Sequence, residues 1–284
     1  MLACRLLLWC MMLPTGAWAA SAIDAQLREL DQAMLASGAS DRVARLAKAY
    51  ASWESSASRG GGCDKLSDPD LEAAFRASFH VSMYVGDEEW LGKGRCIHAE
   101  LGRRGIATEA THRKMHSLLV QVRHFAEANR LREAAALRVD ELPEIERNAP
   151  DQQGTLHPLA SGKLEWRRWK YKEGLEVVVY VSPACAPSRR AMQVILNEPE
   201  WRWIRSSVRF VVRRSPAWPQ LGVSEWNARN PSHPMLLQAG TEGWKYLDVY
   251  ETPVFHVFSN GLCQRTLTGW ADASAHLMRL KGDF

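Results

Sequence analysis

The segment around Cys185 has the residue types and spacing that sulfur chemistry requires. A β-branched run over 175–181 ends at Ser-Pro-Ala, and the motif Cys-Ala-Pro-Ser, from Cys185 to Ser188, follows. The pattern predicts a buried parallel strand over 175–181 and a helix over 188–196. Cys185 would then lie at the first turn of a helix, where unpaired backbone N–H groups and the helix dipole favour a thiolate, the nucleophilic form of cysteine.

The Cys185 thiol and the Ser188 hydroxyl, at the two ends of this motif, are predicted to have different roles. The thiolate of Cys185 can attack a disulfide and form a mixed disulfide. Ser188 can donate a hydrogen bond to that thiolate, but it cannot form the S–S bond that would release the partner. We therefore predict Cys185 as the catalytic nucleophile and Ser188 as its stabiliser, with turnover dependent on an external thiol such as glutathione or on a second cysteine of the partner. The alternative is an ordinary buried cysteine in a domain without redox activity.

A second segment whose residues could take part in the chemistry begins at Thr252-Pro253. It continues as a strand to 258, an Asn260-Gly261 turn and a strand over 262–267, which together predict a hairpin. An X-Pro bond adopts the cis form at low cost. A cis bond beside the helix mouth would expose the backbone groups of Thr252, with which an extended peptide could pair as an added strand.

These segments together resemble the thioredoxin superfamily. In that family a buried strand ends at Cys-x-x-Cys at the mouth of a helix, and a cis-proline preceded by Thr or Val leads into a strand and an Asn-Gly turn. Here Ser188 stands in the place of the second cysteine, and Gly269 matches the glycine that precedes the final helix. The resemblance covers about 160–284 and implies a thioredoxin-like α/β domain. It also implies a substrate-binding site formed by Pro187, Thr252 and Pro253.

The amino terminus has the order of regions found in a secretory signal peptide. Arg5 precedes an apolar run over 6–13, Pro14 breaks the run, and Ala17-Trp18-Ala19 offers small residues for a cut after Ala19. The apolar run is shorter than the roughly 20 residues that span a bilayer. We therefore expect 1–20 to be a signal peptide and the protein to be exported to the periplasm, with no integral membrane span; an uncleaved anchor is the alternative.

Charge and composition predict two domains after the signal peptide. From 21 to 159 there are 18 Lys and Arg against 21 Asp and Glu, whereas 160–284 contains 17 against 11. The basic excess is modest and scattered, so it does not indicate nucleic-acid binding. We predict an α+β two-domain protein. Its parts are a helical domain over 21–147, a linker over 148–162 that is polar and contains Pro and Gly, and the thioredoxin-like domain over 163–284.

The helical domain is predicted from apolar periodicity alone. We expect helices over 23–34 and 41–53, another capped by Ser67, a long one from Thr108 to about 131, and a continuation over 130–142. The segment 86–94 interrupts the helical pattern. No strand is predicted between 23 and 145.

The remaining cysteines and a histidine pair are predicted to take no part in the chemistry of the site. Cys63 and Cys96 are 33 residues apart, and in an oxidising compartment we expect them to pair. Cys263 is predicted to be a small buried hydrophobe, with a tether to another chain as the alternative. His112 and His116 have a spacing that suits zinc, but no third ligand is evident, so we predict solvated histidines, no metal and no cofactor.

The leading function is monothiol thiol–disulfide exchange in the periplasm, of the isomerase or reductase kind. The partners would then be protein thiols and disulfides. Exported isomerases and reductases also combine a thioredoxin-like domain with a second part that dimerises or recruits substrate, which implies a dimer through the helical domain as one option. The alternative is a non-catalytic protein-binding module of the cell envelope or of a secretion or conjugation system. An exposed Cys185 with a lowered pKa favours exchange, whereas a cleft closed by the Trp-rich segment between 199 and 250 favours the module.

Overall fold

The computed structural model describes most of the chain, namely residues 17–37, 41–146, 152–159, 161–244 and 251–281. Within these residues the chain forms two units. Unit 1 contains residues up to 82 together with 92–111, and unit 2 contains 83–91 and everything from 112 onward. The first 16 residues of the predicted signal peptide lie outside the described residues. The division also differs from the predicted boundary at 147, because the second half of the helical region belongs to unit 2.

The amino-terminal helices are α1 (Ala17–Ser37), α2 (Arg42–Ala57), α3 (Asp68–Val85) and α4 (Glu88–Arg103). The start of α3 is fixed by the predicted capping box. The Asp70 backbone N–H donates to the Ser67 hydroxyl oxygen at 3.3 Å, and that hydroxyl donates to the Asp70 carboxylate at 2.6 Å. Helix α4 was not predicted. Gly92 and Gly94 lower its intrinsic stability, but buried apolar side chains hold it nonetheless.

A disulfide joins Cys63 and Cys96 in unit 1. It connects the short 3-10 turn Cys63–Lys65, which precedes α3, to the middle of α4. The predicted pairing is therefore present in the structure. Arg104, which follows α4, also links the end of that helix to the start of α3. Its guanidinium donates to the Leu66 carbonyl at 2.8 Å and to the Asp68 carboxylate at 2.7 Å.

Unit 2 is built on one eight-stranded sheet. Its strands are β1 (Ile145–Glu146), β2 (Gly154–Pro158), β3 (Leu164–Arg168), β4 (Leu175–Val181), β5 (Val208–Val212), β6 (Met235–Gln238), β7 (Val254–Ser259) and β8 (Leu262–Thr268). The spatial order is β1-β3-β2-β6-β5-β4-β7-β8. Strands β4, β5 and β6 are parallel, whereas β7 is antiparallel to β4 and to β8. The helices of this unit are α5 (Glu109–Gln121), whose first three residues belong to unit 1, α6 (Phe125–Ala134), α7 (Ala186–Asn197), α8 (Gln220–Arg229) and α9 (Trp270–Leu280).

Strand β4 lies in the interior of the sheet because it is apolar on both faces. Its residues from Val177 to Val181 are almost completely buried. On one face, Val178 and Tyr180 pack into a cluster with Val211, Trp169 and Trp244. This agrees with the predicted buried parallel strand, since only a strand covered on both sides has a continuous apolar run.

The segment predicted as a linker, 148–162, contains strand β2. This strand pairs with β3 and β6, and it buries Leu156 completely. The prediction failed because a single buried apolar side chain among Gly, Thr, His and Pro has the composition of a loop. Strand β6 was missed for a related reason, since it is four residues long and lies within the irregular Trp-rich segment.

The helix predicted from Thr108 to 131 is interrupted at Arg123, which separates α5 from α6. Arg123 has a φ of 68°, in the left-handed region. The predicted apolar stripe is otherwise retained, since Met115, Leu118 and Phe125 are buried. None of the helices in the described part of the chain is both long enough and apolar enough to cross a membrane.

Candidate active site

Cys185 occupies the N-cap position of α7, directly after the loop that follows β4. Its backbone is extended, with φ −85° and ψ 117°, and the Arg189 N–H donates to its carbonyl at 3.1 Å, which closes the first helical turn. Pro187 lies in that first turn, where its missing N–H costs nothing. The Cys185 side chain is partly exposed, and its thiol forms no disulfide. The structure thus places the cysteine where the strand–helix pattern predicts it.

Thr252 is brought against Cys185 by the pairing of β7 with β4. The two strands are antiparallel, with Tyr180 opposite Val254, so the start of β7 lies beside the end of β4. The Cys185 thiol donates to the Thr252 carbonyl oxygen, with an Sγ–O distance of 3.2 Å. The Thr252–Pro253 peptide bond is cis. The two segments that carry the predicted site therefore meet, although they are 67 residues apart.

Ser188 lies beneath the site and is completely buried. Its hydroxyl oxygen accepts a hydrogen bond from the Ser182 N–H at 3.3 Å, which ties the first turn of α7 to the end of β4. The hydroxyl therefore also shapes the loop, a role that the sequence did not indicate.

Burial raises the pKa of the Cys185 thiol, but several nearby groups outweigh that effect. The Thr252 side chain contributes most, and hydrogen bonds from the Ser188 side chain and backbone add to it. The positive charge of Arg189 acts in the same direction, so the pKa of Cys185 lies below its ordinary value. The contact with the Thr252 carbonyl favours the protonated thiol instead, but the several groups that favour the thiolate outweigh it.

Two further contacts hold the loop between β4 and α7. The Arg189 guanidinium donates to the Pro183 carbonyl at 2.8 Å. On the other side, α8 approaches so closely that a Cβ atom added to Gly222 would lie 2.7 Å from the Pro183 Cβ. Sequence reasoning missed this contact, because a single glycine within a short helix does not indicate what lies against it.

The prediction that Cys263 is buried was wrong. Cys263 is exposed on β8, which pairs only with β7 and forms an edge of the sheet. It lies opposite Phe258, near the hairpin turn and away from Thr252 at the other end of β7. Because an edge strand has a partner on one side only, its side chains gain less cover than those of a central strand.

The prediction that His112 and His116 are solvated was wrong for His116. The His116 side chain is buried, and burial, followed by the charge of Arg132, lowers the pKa of this imidazole. Among the described residues, no group of three or more His, Cys, Asp or Glu side chains could hold a metal ion.

No protein-family model matches the chain, and no curated protein matches its sequence. The solved structures that are similar to it include the following three. StoA from Bacillus subtilis is 16% identical over 48% of this chain and 99% of its own, with a TM-score of 0.33. A thioredoxin-family protein from Neisseria meningitidis, described as a solution structure, is 12% identical over 48% of this chain and 90% of its own, with a TM-score of 0.32. A thioredoxin-like protein from Bacteroides caccae is 11% identical over 97% of both chains, with a TM-score of 0.26.

The region from β4 to α9 has a thioredoxin-like fold. The strand order β5-β4-β7-β8, with β7 antiparallel to its neighbours, carries this assignment. The position of Cys185 at the mouth of α7, beside the cis-proline segment at the start of β7, supports the same assignment.

Proposed function

We propose that this protein catalyses monothiol thiol–disulfide exchange through Cys185. The observation that carries the proposal is the position of one free, partly exposed thiol at the N-cap of α7, 3.2 Å from the Thr252 carbonyl oxygen. A helix amino terminus and neighbouring hydrogen-bond donors favour the thiolate. Such a thiol is suited to attack the disulfide of a substrate that binds against the β4–α7 loop and the start of β7.

The exchange takes place in two steps. The Cys185 thiolate attacks one sulfur of a substrate disulfide, a new S–S bond forms, and the other substrate sulfur leaves as a thiolate that takes up a proton from water. An external thiolate, such as that of glutathione, then attacks the substrate sulfur of the mixed disulfide and releases Cys185 as a thiolate. Ser188 cannot perform this second step, because it has no sulfur.

The Thr252 carbonyl would change partners during the first step. While Cys185 is protonated, this carbonyl accepts the thiol proton. Loss of that proton frees the carbonyl oxygen to accept an N–H of an extended substrate chain, as in the addition of a strand. The adjacent Pro253 carbonyl already accepts the Gly269 N–H at 2.9 Å, so Thr252 is the acceptor that becomes available.

We place this activity in the periplasm, where the signal-like amino terminus would direct the protein. The Cys63–Cys96 disulfide supports that placement, because disulfides persist in oxidising compartments and are rare in the cytosol. The substrates would be protein thiols and disulfides of the cell envelope.

The proposal is tested by trapping the mixed disulfide with glutathione disulfide and locating the adduct by mass spectrometry. Two free thiols are available in the described residues, Cys185 and Cys263, so two variants form a matched pair. We expect Cys263→Ser to form the adduct at the rate of the unaltered protein and Cys185→Ser to lose the fast phase. If the adduct forms only on Cys263, the thioredoxin-like domain is better explained as a non-catalytic binding module.

A further inference from the structure

The helix side of the candidate site is positively charged. Arg189 and Arg190 follow Cys185 by four and five residues, and their side chains are exposed on α7. No Asp or Glu occurs between residues 182 and 197, although carboxylates are favoured at the amino terminus of a helix. The backbone N–H groups at the start of α7 add positive partial charge. A substrate that approaches Cys185 from the α7 side therefore meets positive charge from the backbone and from two side chains.

Neither arginine forms an ion pair with a carboxylate of the described residues. The Arg189 guanidinium donates to the Pro183 carbonyl at 2.8 Å, and this oxygen satisfies a donor but carries no net charge. Arg190 borders a surface groove together with Glu198 and Glu200, yet it forms an ion pair with neither of them. Both positive charges can therefore act on a substrate at the site.

Arg189 lies close enough to influence the reacting sulfur. Its positive charge is one of the causes that lower the pKa of Cys185, and no other charged side chain has a larger effect on that pKa. Negative charge lies on the β7 side of the site, where Glu251 directly precedes Thr252 and Asp272 is in the first turn of α9, both of them exposed. Positive charge therefore dominates at the thiolate itself, although acidic side chains are present farther from it.

We infer that Cys185 exchanges preferentially with disulfides that carry acidic side chains, and that Arg189 and Arg190 determine this preference. The preference presupposes the proposed exchange reaction and defines its substrate class. The bond changes are those of the first exchange step, in which the S–S bond to Cys185 forms, the substrate S–S bond breaks and the leaving thiolate takes up a proton from water. A carboxylate beside the substrate cysteine is attracted to the guanidinium groups, which hold the disulfide near the thiolate and raise the rate of attack.

The test compares three small disulfides that differ in charge, namely anionic dithiodiglycolate, neutral hydroxyethyl disulfide and cationic cystamine. Mass spectrometry follows the rate at which each forms a mixed disulfide on Cys185. Each rate is divided by the rate with the thiolate of mercaptoethanol, which removes intrinsic differences among the disulfides. At low ionic strength we expect the anionic disulfide to react at least about threefold faster than the neutral one, and the cationic disulfide to react slowest. About 1 M sodium chloride should remove most of the difference, because the Debye length falls to about 3 Å.

Substitutions show which side chains set the ratio of the anionic to the cationic rate. Arg189→Gln and Arg190→Gln should each lower this ratio, and Arg189→Gln should lower it more because its charge has the larger effect on the thiol. Arg189→Lys keeps the charge and should keep the ratio. Arg202→Gln, which removes an exposed arginine from the segment before β5, is the matched control and should leave it unchanged. Glu251→Gln should raise the ratio, because it removes negative charge from the β7 side. A change in the pKa of Cys185 affects all three disulfides equally, so it cancels in the ratio.

The possible outcomes separate the substrate preference from the exchange reaction. Two peptide disulfides that differ only in Glu or Lys beside the cysteine should follow the order of the small disulfides, with the Glu peptide faster. If no disulfide reacts with Cys185, both the exchange and the preference are overturned. If the three small disulfides react at equal normalised rates, or cystamine reacts fastest, the exchange stands and the preference for acidic substrates is overturned. The preference is also overturned if the double variant Arg189→Gln with Arg190→Gln keeps the ratio that Arg202→Gln shows.

Discussion

The Cys185 thiol and the Thr252 carbonyl oxygen are 3.2 Å apart, so the mouth of α7 and the start of β7 form a single site. The relationship depends on the antiparallel pairing of β4 with β7, which holds both segments against the same end of the sheet. Both segments are therefore anchored to buried strands, while Cys185 and Thr252 themselves are partly exposed. A site on such a support is expected to be rigid.

Thr252→Val is predicted to raise the pKa of the Cys185 thiol. The Thr252 side chain is the strongest of the groups that lower that pKa, and valine keeps its shape while removing the hydroxyl. The measurement is the pH dependence of alkylation, in which the rate at neutral pH should fall severalfold. Thr268→Val, on the exposed part of β8, is the matched control and should leave the rate unchanged. An unaltered pH profile in Thr252→Val would show that the hydroxyl has no influence on the thiol.

Gly222→Ala is predicted to disturb the loop that precedes Cys185. The added Cβ would lie 2.7 Å from the Pro183 Cβ, a distance at which one of the two segments must move. We expect a changed alkylation rate of Cys185 and a loss of stability of about 1–3 kcal/mol. Gly102→Ala has no neighbour within 4 Å and lies in α4, so it should gain up to about 1 kcal/mol without altering Cys185. Equal behaviour of the two variants would mean that α8 does not support the site.

His256 is predicted to make the fold sensitive to acid. It is completely buried on β7, its Nδ1 pairs with the Thr266 hydroxyl at 2.9 Å, and burial lowers its pKa to about 4. In the unfolded chain the pKa returns to about 6.5. The unfolded chain therefore binds a proton first as the pH falls, and stability that is present above about pH 6.5 is lost between about pH 6.5 and pH 4.

The loss attributable to His256 amounts to about 3 kcal/mol. Asparagine can replace the Nδ1 contact without titrating, so His256→Asn should flatten the decline in the free energy of unfolding, measured by urea denaturation at several pH values. His157, whose pKa burial also lowers to about 4, will leave a residual slope. Above about pH 7 the slopes of the two proteins should coincide. An unchanged decline in the variant would contradict the assignment.

Removal of the Cys63–Cys96 disulfide is predicted to destabilise unit 1. The bond closes a loop of 33 residues, for which the chain-entropy model gives about 3–4 kcal/mol. The double variant Cys63→Ser with Cys96→Ser should show that loss in urea denaturation followed by circular dichroism. Cys263→Ser removes an exposed thiol and should change the free energy of unfolding by less than about 0.5 kcal/mol. A double variant as stable as Cys263→Ser would exclude a stabilising role for the bond.

The central strands and the cysteine segment could be predicted because their signals are local. The apolar run of β4, the Asn260-Gly261 turn and the capping box at Ser67 each arise from neighbouring residues. Strand β2 depends instead on its partners β3 and β6 elsewhere in the sheet, so composition alone indicated a linker. The candidate site was predicted only in part for the same reason. The resemblance to the thioredoxin superfamily predicted that Cys185 and Thr252 lie close together. The approach of Gly222 to Pro183 and the exposure of Cys263 depend on tertiary packing, which local sequence patterns do not indicate.

The alkylation rate of Cys185 with iodoacetamide, measured between about pH 4 and pH 9, is the sharpest test of whether this thiol is reactive. Cys185→Ala provides the blank, which subtracts the reaction of the remaining thiols. We expect the rate to reach half of its plateau value at a pH below about 8.5, the ordinary pKa of a cysteine, because the neighbouring groups lower the pKa of this thiol. A midpoint at or above that pH, or labelling that requires unfolding of the protein, would contradict a reactive thiolate at the mouth of α7.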